Sequence, residues 1–309
     1  MSKSSVDLSV DIAGIRFQNP VIAASGAFGF GHEYSQLFDL SKLGGIAVKG
    51  LTPLPRKGNA PPRIAETPAG ILNSVGLQNP GVQAFIEKEI PYLRQFDTKI
   101  IANASGNTVD EYVHMVEVLS DSDVDAIELN LSCPNVKHGG MVFGSTREGL
   151  SQVVSRVKPY ARKPLIVKLT PNVTDITELA KAAEDAGADA VSLINTLLGM
   201  AIDVKTKRPI LGNVMGGLSG PAVKPVALRM VYQVSKAVKI PVIGMGGISN
   251  GTDAVEFLLA GASAIMIGTA GFVNPYAWIE TVEGIEAYLQ DNGCQSVKAL
   301  IGALIVDKA

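Results

Sequence analysis

The sequence predicts an α/β protein folded as a TIM (β/α)8 barrel. Three observations carry that reading. Short apolar runs rich in branched residues recur eight times along the chain. Segments with helical spacing separate most of them, and glycines or capping residues mark the joins. Continuous apolar strands alternating with helices indicate a parallel sheet covered on its outside. Eight such units in 309 residues suit one closed barrel, so residues 1–309 are read as a single domain.

The stretch VDLSVDIAGIRFQNP (6–20) reads as a small hairpin plugging the mouth opposite the site. The strands follow as VIAASG (21–26), GIAVKG (45–50), IIANASG (100–106) and AIELNLSCP (126–134). LIVKLTP (165–171), AVSLINT (190–196), PVIGMGGI (241–248) and AIMIGTA (264–270) complete the set. Helical spacing is clearest over Ile176–Ala186 and Ala254–Ala260. Helix starts are signalled at Asn107-Thr108, Thr174-Asp175 and Thr252-Asp253, and Thr108 with Glu111 fits a capping box. Helix-ending glycines precede strands in LGGIAVKG (43–50), AGADAVSL (186–193) and AGASAIMI (260–267). The last two are near-repeats, as expected of one unit used many times. An open doubly wound sheet is the competing fold, but neither GAFGFG (26–31) nor Gly244-x-Gly246 completes a dinucleotide fingerprint.

Three connections exceed what a barrel needs: Leu51–Asn79, Asn135–Arg147 and Leu197–Ser219. All follow strand C-termini, the face where barrel active sites lie, and long loops there are usually functional.

Composition narrows the function. Lys plus Arg total 27 against 29 Asp plus Glu, a net charge of −2, which disfavours nucleic acid as a partner. Hydrophobic residues at 47% and charged residues at 18% exclude disorder. Cys133 and Cys294 are too few and too far apart for a disulfide framework, a zinc site or an iron–sulfur cluster. The opening MSKSSVDLSVDIAG has no signal-peptide core, and apolar runs such as Ala299–Val306 fall far short of the ~20 residues of a membrane helix. The expectation is a cytoplasmic protein with no membrane contact.

Residues at the C-terminal strand ends converge in a barrel. Here they are Ser25, Lys49, Asn103, Asn130, Cys133, Lys168, Asn195 and Thr196, with Gly246-Gly247 and Gly268-Thr269. Taken singly, an Asn there is often only a turn residue and a Lys only a solvated one. Five amides and lysines at one end of five strands favour a site for a planar, polar ligand. The two glycine-containing pairs on the last two strands suit phosphate binding by backbone N–H groups, where ordinary tight turns are the plain alternative. Cys133 in LSCPN is placed to act as nucleophile or general base, whereas Cys294 reads as incidental. His32, His114 and His138 form no metal motif, and no metal is expected.

At this point the motifs resemble those of class 1 dihydroorotate dehydrogenases over essentially the whole length. They are ASGAFGFG (24–31), VKGLTPLPRKGN (48–59), ILNSVGLQNPG (71–81) and IELNLSCPNVKHGG (127–140). IVKLTPNVTDI (166–176), LINTLLGM (193–200), GGLSGPAVKP (216–225) and GMGGISNGTDA (244–254) continue the match. KHGG after CPNV resembles the B-type catalytic subunit rather than the fumarate-using A-type.

The resemblance implies an FMN-binding barrel that oxidises (S)-dihydroorotate to orotate in pyrimidine biosynthesis. Cys133 is implied as the base for the C5 proton while C6 yields a hydride to flavin N5, with the loop from about Pro134 to Ser145 closing over the substrate. The implied substrate contacts are Lys49, Asn73, Ser74, Val75, Gly76, Leu77, Asn130, Asn195 and Thr196. The implied cofactor contacts are Ser25, Lys49, Gly50, Asn103, Asn130, Lys168, Ile194, Gly220, Gly246, Gly247, Gly268 and Thr269. A homodimer of catalytic chains is implied, joined to an electron-transfer subunit carrying FAD and a 2Fe–2S cluster that reduces NAD+. Two alternatives stand beside this reading: an A-type enzyme using fumarate, and a barrel with Cys133 as covalent nucleophile on a nucleotide, as in IMP dehydrogenases.

Overall fold

A computed structural model describes residues 6–131 and 143–306. The chain begins with an antiparallel hairpin, β1 (Val10–Ile12) and β2 (Ile15–Phe17), in which Val10 pairs with Phe17. Then come β3 (Val21–Ala23) and β4 (Gly45–Ala47) of the barrel. An excursion carries β5 (Ile64–Thr67) and β6 (Gly70–Asn73). The barrel resumes with β7 (Lys99–Ala104), β8 (Ala126–Asn130), β9 (Leu165–Lys168) and β10 (Ala190–Leu193). A second excursion holds β11 (Leu197–Met200), β12 (Ile202–Asp203), β13 (Arg208–Pro209) and β14 (Met215–Ser219). Finally β15 (Val242–Met245) and β16 (Ala264–Ile267) close the barrel, whose order is β3-β4-β7-β8-β9-β10-β15-β16 and back to β3. All eight apolar runs thus become parallel neighbours in chain order.

Apart from Lys99, every residue of these eight strands is buried. Strands covered on both faces have no polar side, so each reads as an uninterrupted apolar run. Helices α1 (Val109–Ser120), α2 (Arg147–Val157), α3 (Ile176–Asp185), α4 (Lys224–Ala237), α5 (Gly251–Leu259) and α6 (Ala277–Asp291) follow strands β7 to β16. Two short 3-10 turns, Tyr34–Gln36 and Leu40–Lys42, stand where a helix is expected after β3.

The punctuation is mostly as expected. Thr108 caps α1 by accepting from Glu111 N at 3.1 Å, although Glu111 reaches back to Asn107 N rather than to Thr108. Asp175 caps α3. The helix start expected at Thr252-Asp253 lies earlier: Asn250 is the cap, accepting from Asp253 N at 3.0 Å. Four capping-type candidates, Ser249, Asn250, Thr252 and Asp253, crowd that turn, and Asn250 is the one that caps. Gly187 and Gly261 take left-handed φ values of +96° and +111°. Gly44 does not; a Cβ there would lie 2.0 Å from Asn19 O, so close approach is what demands glycine.

Two of the three long connections are not loops. β11, β14, β6 and β5 form a four-stranded antiparallel sheet above the C-terminal mouth. Its central register sets Gly217 opposite Asn73. A Cβ on Gly216 would meet Asn73 O at 2.6 Å, and one on Gly217 would meet Thr196 Oγ1 at 2.0 Å. Glycines required by this crowding erase the strand signal from the sequence. The third connection falls largely outside the described residues.

At the opposite mouth Phe17 is fully buried, 3.1 Å from where a Gly45 Cβ would stand at the start of β4. Asn19 seals this end, accepting from Val21 N and Gly44 N and donating to Lys42 O. The hairpin therefore packs beneath the barrel, as expected.

Candidate active site

A cavity of about 260 Å³ opens at the C-terminal ends of the strands. Ser25, Lys49, Gly50, Asn73, Val75, Gly76, Leu77, Asn130, Lys168, Ile194, Asn195 and Thr196 line it. Gly220, Gly246, Gly247, Gly268 and Thr269 line its far corner. Among the described residues, two expected site residues are not in this lining. Ser74, just past the end of β6, is fully buried, and its backbone N–H donates to Arg63 O. Asn103 is fully buried one layer below the cavity floor. Cys133 lies outside the described residues, as does His138. Cys294 stands half-buried beyond α6, away from the cavity.

Each polar group arrives on a rigid element. Lys49 follows β4, Asn130 and Lys168 end β8 and β9, and these last two are direct cross-strand partners. Asn195 and Thr196 follow β10. Asn172 locks that turn by donating to Thr196 O at 3.1 Å and accepting from Leu198 N at 2.9 Å. Asn73 reaches the site on the added sheet and donates to Gly217 O at 3.4 Å.

Beneath the cavity lies a residue that strand-end reasoning passed over. Glu128 on β8 is fully buried, accepts from Asn103 Nδ2 at 2.5 Å and from Ser192 Oγ at 2.6 Å, and lies 3.9 Å from Lys168 Nζ. A lone charge in the apolar run AIELN was its signal in the sequence. Asn130 Nδ2 in turn donates to Asn103 Oδ1 at 3.2 Å. Buried polar atoms normally find partners. Among the described residues Asn130 Oδ1, Ser74 Oγ and Ser105 Oγ have none.

The far corner is a backbone cradle. Gly220, Gly246 and Gly247 adopt φ of +100°, +124° and +78°, conformations that side chains with Cβ resist. Ser219, Ser249 and Phe272 also line the cavity and were not anticipated. Thr269 Oγ1 donates to Ser219 Oγ at 2.9 Å, tying the β16 turn to the added sheet. Behind the cradle, Lys224 Nζ donates to Asp253 Oδ1 at 2.6 Å and Glu256 Oε1 at 3.1 Å. The Asp253 contact is the main reason the Lys224 ammonium is held above its usual pKa, with burial opposing it. Asp253 also accepts from Ser249 N at 2.9 Å, so the turn after β15 is fastened from below.

Comparisons with known proteins show which family the chain belongs to. The family model described as dihydroorotate dehydrogenase matches residues 7–289. The chain belongs to the dihydroorotate dehydrogenase family. A relative from Alkaliphilus metalliredigens, named dihydroorotate dehydrogenase B (NAD(+)), catalytic subunit, is 58% identical over 97% of this chain and 100% of its own. One from Bacteroides thetaiotaomicron with the same name is 58% identical over 97% of this chain and 99% of its own. The crystal structure of the Eimeria tenella enzyme with ferulenol superposes with a TM-score of 0.82 at 23% identity, covering 98% of this chain and 90% of that one. That likeness supports the barrel fold. Among the described residues no helix is long and apolar enough to cross a membrane.

Proposed function

We propose that this chain is the FMN-binding catalytic subunit of an NAD-linked dihydroorotate dehydrogenase, oxidising (S)-dihydroorotate to orotate in pyrimidine biosynthesis. The observation that carries the reading is the cavity itself. Lys49, Lys168 and the amides of Asn73, Asn130 and Asn195 converge there, in a chain 56–59% identical to relatives bearing that name.

The residues present fit the cofactor on three counts. Asn130 Oδ1 is buried without a partner among the described residues, as an acceptor awaiting a ligand N–H must be. Ile194, Met245 and Met266 give an apolar wall for a flat ring. Gly246-Gly247 and Gly268-Thr269 expose backbone N–H groups suited to a phosphate, and the space a Cβ would occupy on Gly268 is open to 3.6 Å. Ser25, Gly50, Asn103, Ile194 and Gly220 complete the cofactor set, and the whole chain acts as one FMN-binding domain. Bound FMN supplies a two-electron acceptor for the hydride leaving C6 of the substrate.

The remaining work falls to side chains. Cys133, in LSCPN, takes the C5 proton as general base. Lys49 holds the substrate beside the cofactor plane. Asn73, Asn130, Asn195 and Thr196 orient the ring and carboxylate, with the backbone of Ser74 to Leu77 behind them. Lys168 stabilises negative charge that builds up during reduction. The relatives' designation as catalytic subunits supports a partner chain. We assign the finer assembly as a catalytic homodimer joined to a subunit carrying FAD and a 2Fe–2S cluster, working in the cytoplasm.

The test is a visible absorption spectrum of the purified chain before and after anaerobic dihydroorotate. Yellow protein that bleaches supports flavin, substrate and half-reaction together. Yellow protein that stays yellow refutes the substrate, and protein left colourless after added FMN refutes the cofactor.

A further inference from the structure

Strand β8 carries Glu128, the one carboxylate residue among the described residues of the eight barrel strands. Glu128 and Asn130 lie two residues apart, so alternation puts both side chains on the same face of β8. A carboxylate only accepts hydrogen bonds. Glu128 takes its bonds from Asn103 Nδ2 and Ser192 Oγ. With Nδ2 committed, Asn103 can offer Asn130 only its Oδ1, and it accepts from Asn130 Nδ2 at 3.2 Å. Asn130 is then left with Oδ1 as its unused end, one of four buried side-chain atoms without a partner among the described residues. Asn130 and Lys168 line the cavity, whereas Glu128, Asn103 and Ser192 do not. Lys168 Nζ, almost fully buried, has the same carboxylate 3.9 Å away.

We propose that Glu128 is a positioning residue that sets the direction of the Asn103–Asn130 amide pair, so that the cavity offers an acceptor to an imide or amide N–H. It also balances the charge of Lys168 at the cavity wall. The inference rests on the functional reading above, in which both FMN and the pyrimidine substrate carry such an N–H. A glutamine at position 128 can donate or accept, so it leaves the pair free to reverse.

The test compares Glu128→Gln and Glu128→Asp with the wild-type holoenzyme. Readouts are the Kd for FMN, the Kd for orotate and the two-electron reduction equilibrium of the bound flavin. Glu128→Gln raises one Kd by about three- to tenfold, the worth of one hydrogen bond. A rise for FMN assigns the N–H to the cofactor; a rise for orotate alone assigns it to the substrate. Unbalancing Lys168 also shifts the flavin equilibrium toward reduction by about tenfold, or about 30 mV. Glu128→Asp, which keeps the acceptor-only charge, stays near wild type in that equilibrium. Folded Glu128→Gln protein with both Kd values within twofold of wild type and an unmoved equilibrium overturns the proposal. Should Glu128→Gln fail to fold, a neutron structure of the wild-type holoenzyme decides. Deuterium on the Asn130 nitrogen facing Asn103 supports the proposal, and the reversed amide overturns it. Wild-type protein that binds no FMN overturns the functional reading as well. Wild-type protein that binds and bleaches beside an identical Glu128→Gln overturns the role of Glu128 alone.

Discussion

Gly247→Ala tests the phosphate cradle most directly, because the structure separates two costs. Gly247 has φ of +78°, and a Cβ there would lie 2.7 Å from both Lys224 Cβ and Lys224 N and 2.9 Å from Gly220 O. The left-handed conformation costs an L-residue about 1–2 kcal/mol. The crowding involves backbone atoms that cannot rotate away, and overpacking of this kind costs about 1–3 kcal/mol more. At roughly 2 °C or slightly more per kcal/mol for a chain of this size, Tm falls by about 4–10 °C. Relief of the clash moves the turn away from α4 and withdraws its N–H from any bound phosphate. Loss of one charge-assisted hydrogen bond, about 1.5–3 kcal/mol, weakens FMN binding by about 10- to 100-fold. Gly293→Ala is the control: its φ is +67°, but nothing lies within 4 Å of the new Cβ. It bears the conformational cost alone and leaves FMN binding unchanged. Thermal melts of the apoproteins and flavin-fluorescence titrations read both terms. A Gly247→Ala protein that melts with Gly293→Ala and binds FMN within twofold of wild type refutes the cradle.

Two further predictions address the base and a helix cap. Cys133→Ser keeps FMN bound but slows anaerobic bleaching by dihydroorotate by about 10²- to 10⁴-fold, since a hydroxyl is a far weaker base than a thiol; a near-normal rate in stopped flow removes Cys133 from that role. Asp175 caps α3, and the Thr177 hydroxyl, then the Thr177 backbone N–H, hold its carboxyl below the usual carboxylate range. Its contribution, about 1 kcal/mol for a cap, is therefore full above the unfolded value near 3.9 and fades as pH falls through the lower folded value. The Tm gap between wild type and Asp175→Ala is thus widest near neutrality and narrows in acid, and a gap independent of pH contradicts the assignment.

The legible parts of this molecule are those written in local pattern. Each barrel strand is buried on both faces, so its apolar run is visible without knowing its neighbours. The polar residues ending those runs sit at one mouth because parallel strands all end there, which is why Lys49, Asn130, Lys168 and Asn195 were found together. The added sheet was invisible for the opposite reason. Its register joins Asn73 to Gly217, residues 144 apart, and the close approach needed there selects glycines that carry no strand signal. Asn103 ends its apolar run just as Asn130 does, yet it is fully buried and outside the cavity lining, because strand-end position does not report depth.

Alone, the sequence determined the number and order of the strands, the mouth that carries the site, the resemblance of its motifs, and the residue types available to a flat polar ligand. These depend on side chains within one strand or one helical turn of each other. Tertiary structure alone decided which atoms of those residues face the cavity. Glu128 reaches Asn103 across 25 residues and Ser192 across 64, and only the pairing of β7 with β8 and the curvature that brings β10 round bring the three together. An amide has two ends of nearly equal size and opposite polarity, so its direction is set by the partner that strand pairing supplies, and that is where the chemistry of this mouth is fixed.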